Sequence, residues 1–301
     1  MIMADGESIQ ECFGAGRTTF SVEFFPPKDE AAADRMLRAA EDLRPYRPDF
    51  VSITYGAGGG TRETTMRYAR ALKEDLGFEV MPHLTCVGHT KEELLEILGE
   101  FRDAGFRAVM ALRGDPPKGE DSFSAVEGGF SHADELVSLA RAHFPEFSIG
   151  VAGYPEKHPE APDFGSDVTH LANKVSCGAD FVTTQLFFDN AKYFSFVDSC
   201  RAGGIEVPVL PGLLPVGSLS QIKRFCAMCG ATLPDELTRR LEAAGDDSEA
   251  VGQVGADWAY GQLAELLDRG APGFHIYCLN KSKVVIEALN RLRADGRFRA
   301  G

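Results

Sequence analysis

Residues 19–28, Thr-Phe-Ser-Val-Glu-Phe-Phe-Pro-Pro-Lys, read as a short buried strand halted by two prolines. Valine and phenylalanine suit a pleated, packed surface, and Pro26-Pro27 cannot continue a hydrogen-bonded ladder. Glu23 stands inside this apolar run. Taking a carboxylate out of water is costly unless it is paired, protonated or facing a cavity. On these residues alone Glu23 is either half of an ion pair with a buried arginine or lysine, or a carboxyl kept for chemistry.

Outward from this stretch the chain alternates strand and helix. A short polar segment (1–17) precedes strand 18–25, and an amphipathic helix over 29–44 follows, with Met36, Leu37, Ala40 and Leu43 on one face. Further pairs are strand 49–55 with helix 61–76, strand 78–85 with helix 90–103, strand 106–112 with helix 132–143, and strand 147–152 with helix 166–177. Strand 180–187 leads to helix 190–202, strand 206–210 to helix 218–229, and strand 273–279 to helix 281–294. An extra helical stretch over 234–268 lies before the last strand, and its acidic run Asp246-Asp247-Ser248-Glu249 reads as a solvated turn and helix start. Eight βα units without a composition break predict one closed (β/α)₈ barrel, a TIM barrel, occupying 18–301 as a single domain behind the N-terminal segment.

Composition narrows the function classes. The 301 residues are 44% hydrophobic and 25% charged, enough to bury a large core. A net charge of −14 argues against a non-specific grip on nucleic acid or on an anionic membrane. The N-terminus lacks the pattern of a signal peptide and no apolar run approaches a membrane span, so a cytoplasmic protein is expected. The seven cysteines are scattered and odd in number, unlike a disulfide framework. Cys226 and Cys229 have the spacing of half a zinc site, but no second pair follows; the expectation is a helix interior and no metal.

In a barrel of this kind chemistry gathers at the C-terminal strand ends. Those ends carry Glu23, Thr54-Tyr55, His83 and Thr85, Arg113-Gly114-Asp115, Tyr154 with His158, Thr184-Gln185, Pro211-Gly212, and Tyr277 with Asn280. Each alone is compatible with a cap, a satisfied core histidine or a local salt bridge; a purely structural barrel has no use for all of them on one rim. The loop Gly56-Ala57-Gly58-Gly59-Gly60-Thr61 offers a backbone that a ligand can approach, but it matches neither a dinucleotide fingerprint nor a P-loop.

Several segments together resemble the methylenetetrahydrofolate reductase family: Ser21 to Lys28, Val51 to Ala57, Pro82 to Cys86, Ala111 to Asp115, Tyr154 to Glu160, Thr184 to Asp189 and Pro211 to Pro215, in order across about 18–295. With no long extension after the barrel, the chain resembles the short bacterial form. The resemblance implies a barrel that holds FAD non-covalently, takes hydride from NADH or NADPH and reduces 5,10-methylenetetrahydrofolate to 5-methyltetrahydrofolate, in one-carbon metabolism and methionine biosynthesis. It further implies a homo-oligomer.

Carried over position by position, Thr54, Tyr55, His83, Arg113, Gly114, Asp115, His132, Ala133, Tyr154, His158, Asp167, His170, Asn173 and Lys174 would hold FAD, with Arg113 and Lys174 suited to the pyrophosphate. Gln185, Gln221 and Lys281 would hold folate or nicotinamide, alongside Glu23 and Asp115. His132 replaces a common tyrosine, His170 and Asn173 replace polar or basic residues, and Lys281 replaces an arginine, which bears on cofactor affinity and recognition of the folate tail. Glu23 would be the acid, kept partly neutral by Phe24 and Phe25, and Asp115 would tune the flavin. A shared flavin face predicts ping-pong kinetics. The rival readings are a flavin-free lyase or aldolase on the same fold, and a folate- or flavin-binding protein without turnover.

Overall fold

The structure, a computed structural model, describes residues 8–13, 18–55, 62–116, 119 and 123–298. Its strands are β1 (Thr19–Phe24), β2 (Phe50–Ile53), β3 (Val80–Thr85), β4 (Ala108–Leu112), β5 (Ser148–Gly153), β6 (Phe181–Thr184), β7 (Val209–Leu210), β8 (Gly212–Leu213) and β9 (Gly273–Tyr277). All pair in parallel, in the order β7-β6-β5-β4-β3-β2-β1-β9-β8.

β7 and β8 are two halves of one stave interrupted at Pro211. The first half bonds β6 through Val182 opposite Val209, and the second bonds β9 through Gly212 opposite His275, so the ring closes as an eight-stave barrel. At the break the Pro211 carbonyl accepts from the His275 amide at 2.9 Å. A Cβ on Gly212 would lie 2.2 Å from the Thr184 carbonyl oxygen and 2.7 Å from the Tyr277 ring, so only glycine lets the chain pass there.

Helices α1 (Ile9–Cys12), α2 (Glu30–Leu43), α3 (Arg62–Glu74), α4 (Lys91–Asp103), α5 (Ala133–His143) and α6 (Phe164–Ser176) accompany the first six strands. After them come α7 (Asn190–Ala202), α8 (Leu219–Cys229), α9 (Asp235–Ala244), α10 (Ser248–Asp268) and α11 (Lys283–Ala294). The alternation of side chains explains the layering. On β1, Phe20, Val22 and Phe24 join the core between strands and helices, while Ser21 and Glu23 turn into the barrel. Caps set the helix starts: Asp29, Thr90, Asp163 and Ser218 each accept from a backbone amide of the first turn.

The expected stretch 234–268 is two helices. Gly245 ends α9 and the Asp247 side chain accepts from Glu249 and Ala250 amides to start α10, which fits the reading of the acidic run as a helix start. Cys226 and Cys229 both lie in α8 with free thiols. Among the described residues no helix is long and apolar enough to cross a membrane.

The N-terminal segment is less peripheral than its composition suggests. Ser8 and Glu11 form a reciprocal capping box, at 3.3 and 2.6 Å, that opens the single turn of α1. Its Ile9 is 2% exposed and packs with Phe50, Met81, Ala108, Met110, Phe181 and Leu210, an apolar plug inside the barrel. Phe13 meets the Phe181 ring at 5.2 Å. If α1 is part of this core, Ile9→Ala lowers the unfolding free energy by about 2–4 kcal/mol in denaturant titrations. A change below about 0.5 kcal/mol would show that it only decorates the surface.

Candidate active site

On the inner face of the sheet, Glu23 stands beside three polar side chains from neighbouring staves. Its Oε2 lies 3.3 Å from His83 Nε2, 3.7 Å from His275 Nε2 and 3.5 Å from the Ser52 hydroxyl, which donates to it. Glu23 is 6% exposed, His83 7% and His275 1%. His83 Nε2 is close to the carboxylate but off the line of a hydrogen bond. His275 is tethered at its other nitrogen, where Nδ1 and the Ser21 hydroxyl are 2.8 Å apart.

This arrangement corrects the expected environment of Glu23. Phe24 points to the helical layer and Phe25, beyond the strand, is 37% exposed, so neither encloses the carboxyl. Burial is the largest influence on Glu23 and by itself raises its pKa; His275 and His83 together outweigh it and hold the carboxyl at about 2. Glu23 is therefore a carboxylate paired with imidazoles, and the partners are neither arginine nor lysine. The pairing stabilises the fold above the ordinary carboxyl value of 4.5, and that contribution disappears as pH falls through about 2. His275 escaped the sequence reading, although strand alternation puts it on the same face as Tyr277.

The first and last βα units are latched above this pair. The Asn280 side chain donates to the Phe25 carbonyl and accepts from the Phe25 amide, both at 2.9 Å. To present it, Leu279 and Asn280 both take left-handed backbone, φ 51° and 56°, a costly choice for leucine. The Cys278 thiol donates to the Glu23 carbonyl at 3.0 Å, and the Tyr277 hydroxyl donates to the Thr184 carbonyl at 2.6 Å.

A second group of expected residues forms a continuous electrostatic neighbourhood. Arg113 is bound in a fork by Glu160, at 2.6 and 2.8 Å, and lies over the Phe123 ring at 5.0 Å. Gly114 has φ 92°, and a Cβ there would press on Val87 at 2.7 Å. Asp115 beside it is exposed. The rings of Tyr154 and His158 meet edge to face at 4.6 Å, and the His158 amide donates to Asp167 at 2.9 Å. Burial raises the Tyr154 hydroxyl, reinforced by Asp115 and Asp167, and lowers His158, helped by Arg113. Lys174 donates to the Ala152 carbonyl at 2.6 Å; it keeps some exposed surface, but burial of its ammonium brings its pKa down to about 8.

The remaining expected residues are more scattered in role. Thr54 is held through its backbone, donating to Phe24 and accepting from the Thr65 hydroxyl. The Tyr55 ring joins the strand–helix core, and its hydroxyl meets His89 Nε2 at 3.1 Å. His132 is the N-cap residue of α5, directly before Ala133, with its ring exposed. His132, Asp134 and Glu135 bring ligand atoms within 4.8 Å of one another, an arrangement that the local capping box already explains. His170 and Asn173 are exposed on α6.

Gln185 folds back so that its carbonyl oxygen accepts from the Leu186 amide at 2.9 Å, and Gln221 lies in the first turn of α8. Lys281 is exposed and precedes α11, which starts at Lys283 and so does not open on Lys281. Residues 56–61, the glycine-rich loop, lie outside the described residues.

These residues fit a bound dinucleotide cofactor. Thr85 Oγ1, Thr183 Oγ1 and His83 Nε2 are buried without hydrogen-bond partners. Lys174 would offer a cation to a phosphate, and a Cβ on Gly114 would press on Val87 and Thr85, so glycine is needed there for packing. Arg113 would have to exchange Glu160 for a phosphate, a swap that its exposed partner allows.

Comparison with known proteins places this geometry among relatives. The family profile for methylenetetrahydrofolate reductase matches residues 8–293. The chain is 37% identical over 271 residues to the 5,10-methylenetetrahydrofolate reductase of Pectobacterium carotovorum, covering 89% of this chain and 88% of that one. It is 36% identical over 269 residues to the enzyme of that name from Escherichia coli, with the same coverage. With methylenetetrahydrofolate reductase (NADH) 1 of Zea mays it shares 38% identity over 296 residues, 95% of this chain but 50% of the other, so it spans about half the length of such plant relatives. Among solved structures, a Clostridium thermocellum protein that binds two copies of 5-methyl-5,6,7,8-tetrahydrofolic acid superposes with a TM-score of 0.65 at 17% identity, over 96% of this chain and 98% of that one, and shares the fold. Match, coverage and barrel agree, and the chain belongs to the methylenetetrahydrofolate reductase family.

Proposed function

We propose that this protein reduces 5,10-methylenetetrahydrofolate to 5-methyltetrahydrofolate at the expense of NADH or NADPH, with FAD bound on the rim. The observation that carries the reading is the carboxylate of Glu23, buried against two imidazoles on the inner face of the barrel. When bound, FAD supplies hydride transfer from nicotinamide to folate in two successive half-reactions, a ping-pong scheme. The chain's own residues bind, orient and move one proton.

Arg113 and Lys174 would neutralise the pyrophosphate, and Thr54, His83, Gly114, His132, Ala133, Tyr154, His158, Asp167, His170 and Asn173 would complete the cofactor's surroundings. Asp115 would set a negative charge opposite the flavin. Gln185 and Gln221 would hold the pterin or nicotinamide and Lys281 the glutamate tail. The methylene bridge must open before it can accept hydride, and opening is helped by a proton delivered to the departing nitrogen. Glu23 would deliver it. Since the resting carboxyl is ionised, the proton must be loaded through its imidazole neighbours. The whole chain would work as one barrel, in a homo-oligomer in the cytoplasm.

The decisive experiment measures the half-reactions separately. Purified protein should be yellow and its flavin should bleach with NADH or NADPH under anaerobic conditions. Glu23→Gln should leave bleaching within a small factor and slow reoxidation by methylenetetrahydrofolate by about 10²–10⁴-fold. Parental reoxidation rates in that variant would refute the assignment, and a colourless protein without nicotinamide oxidation would favour a flavin-free lyase.

Two more outcomes follow from the rim. Lys174 loses its charge as pH rises through about 8, so FAD affinity should weaken between pH 7 and 9, by at most about tenfold per unit. Lys174→Arg should flatten that dependence in a fluorescence-quenching titration. Lys281→Ala should raise KM for the folate by less than about tenfold, since an exposed pair contributes only ~0.2–1 kcal/mol, and leave KM for the nicotinamide unchanged. Equal effects on both substrates would remove Lys281 from the folate site.

A further inference from the structure

Glu23 has more around it than an acid requires. From β1 come Glu23 itself and Ser21, from β2 Ser52, from β3 His83, and from β9 His275 and Tyr277, while the Cys278 thiol bonds the Glu23 carbonyl. Among the described residues the His275 ring also meets the Phe50 ring, stacked at 6.5 Å, and the Tyr277 ring at 5.0 Å, and its backbone amide donates to the Pro211 carbonyl. His275 is thus a fully buried imidazole whose two nitrogens both face polar groups.

The geometry points to His275 as the positioning residue that stores the proton Glu23 delivers, with Ser21 fixing the ring. This rests on the reading of Glu23 as the acid in the proposed reaction. In the loaded state His275 is an imidazolium, with Nδ1–H donating to the Ser21 hydroxyl and Nε2–H directed at Glu23 Oε2. The Nε2 proton passes to Glu23, and as the folate carbon–nitrogen bond breaks, the electron pair left on the nitrogen takes that proton from the Glu23 carboxyl. His275 ends neutral and Glu23 ends as a carboxylate; one proton has moved and no electrons have left the pair. A proton from solvent then restores the imidazolium. His83, also against Glu23, belongs to the expected flavin surroundings, and the nitrogen it turns to Glu23, Nε2, lacks a hydrogen-bond partner.

The test combines stopped-flow kinetics with ¹⁵N-histidine NMR on the holoenzyme. In the parent, reoxidation by methylenetetrahydrofolate slows as pH rises and the shared proton is lost. His275→Gln should move that limb at least about one unit to lower pH and slow reoxidation about 10–100-fold at pH 8, while flavin reduction by NADH stays within about twofold. Ser21→Ala should move the limb the same way by less, and Ser21→Thr should restore it. In the NMR arm, Glu23→Gln removes the charge facing the ring, so the His275 Nε2 resonance should move while the Nδ1 resonance, set by Ser21, stays. A limb that stays in place in His275→Gln, however slow the variant, would mean a packing role and overturn the proposal. So would a His275 Nε2 resonance indifferent to Glu23→Gln. Should the parent fail to turn over the folate at all, the reading of the reaction falls, and the NMR arm alone decides whether the proton-sharing pair exists.

Discussion

A carboxylate on the inner wall of a barrel must be answered by charge or by protons, and here the answer comes from both sides of β1. His83 reaches Glu23 from two staves away and His275 from the adjoining one, so the electrostatic balance at Glu23 exists only if β2, β3 and β9 sit in their observed registers. A slip by one residue on β1 would turn Glu23 into the helical layer and Phe24 into the mouth. The apolar plug from Ile9 to Leu210 includes Phe50, whose ring stacks on His275, and so ties the pair to the barrel core.

The same pairing shows how a family resemblance and physical reading can agree on a residue while differing on its state. Phenylalanines adjacent in sequence suggest an apolar, neutralising pocket for Glu23. In a strand, adjacent side chains face opposite ways, and the true neighbours come from residues 29, 60 and 252 positions along the chain, as Ser52, His83 and His275 are. Nothing local in residues 19–28 could reveal them.

Much of the fold was legible because helices and strands carry their own periods and caps. The break at Pro211-Gly212 was readable as a strand end but not as the middle of a stave, since only the approach of Thr184 and Tyr277 shows why the chain bends there. α1 was missed because one turn has too few residues for a period, although Ser8 and Glu11 spell its capping box. Among the expected site residues, Arg113 was readable as a rim cation. Its engagement by Glu160, from the loop that also carries His158, was not, because that contact depends on how two loops fold over each other. Tyr55 could be placed at a strand end, but which way its ring turns is decided by His89.

The latch between Asn280 and Phe25 joins residues 255 apart, and the Ser21 to His275 contact spans 254. The chamber around Glu23 is therefore closed by β9, the last strand among the described residues. Until residues near 275 dock, Glu23 has His83 and Ser52 beside it but not His275, and closing the barrel around it is less favourable than leaving β1 open to water. The chamber itself thus serves as a check on completeness: a chain cut short before β9 would lack both the latch and the charge balance that make closing the barrel favourable.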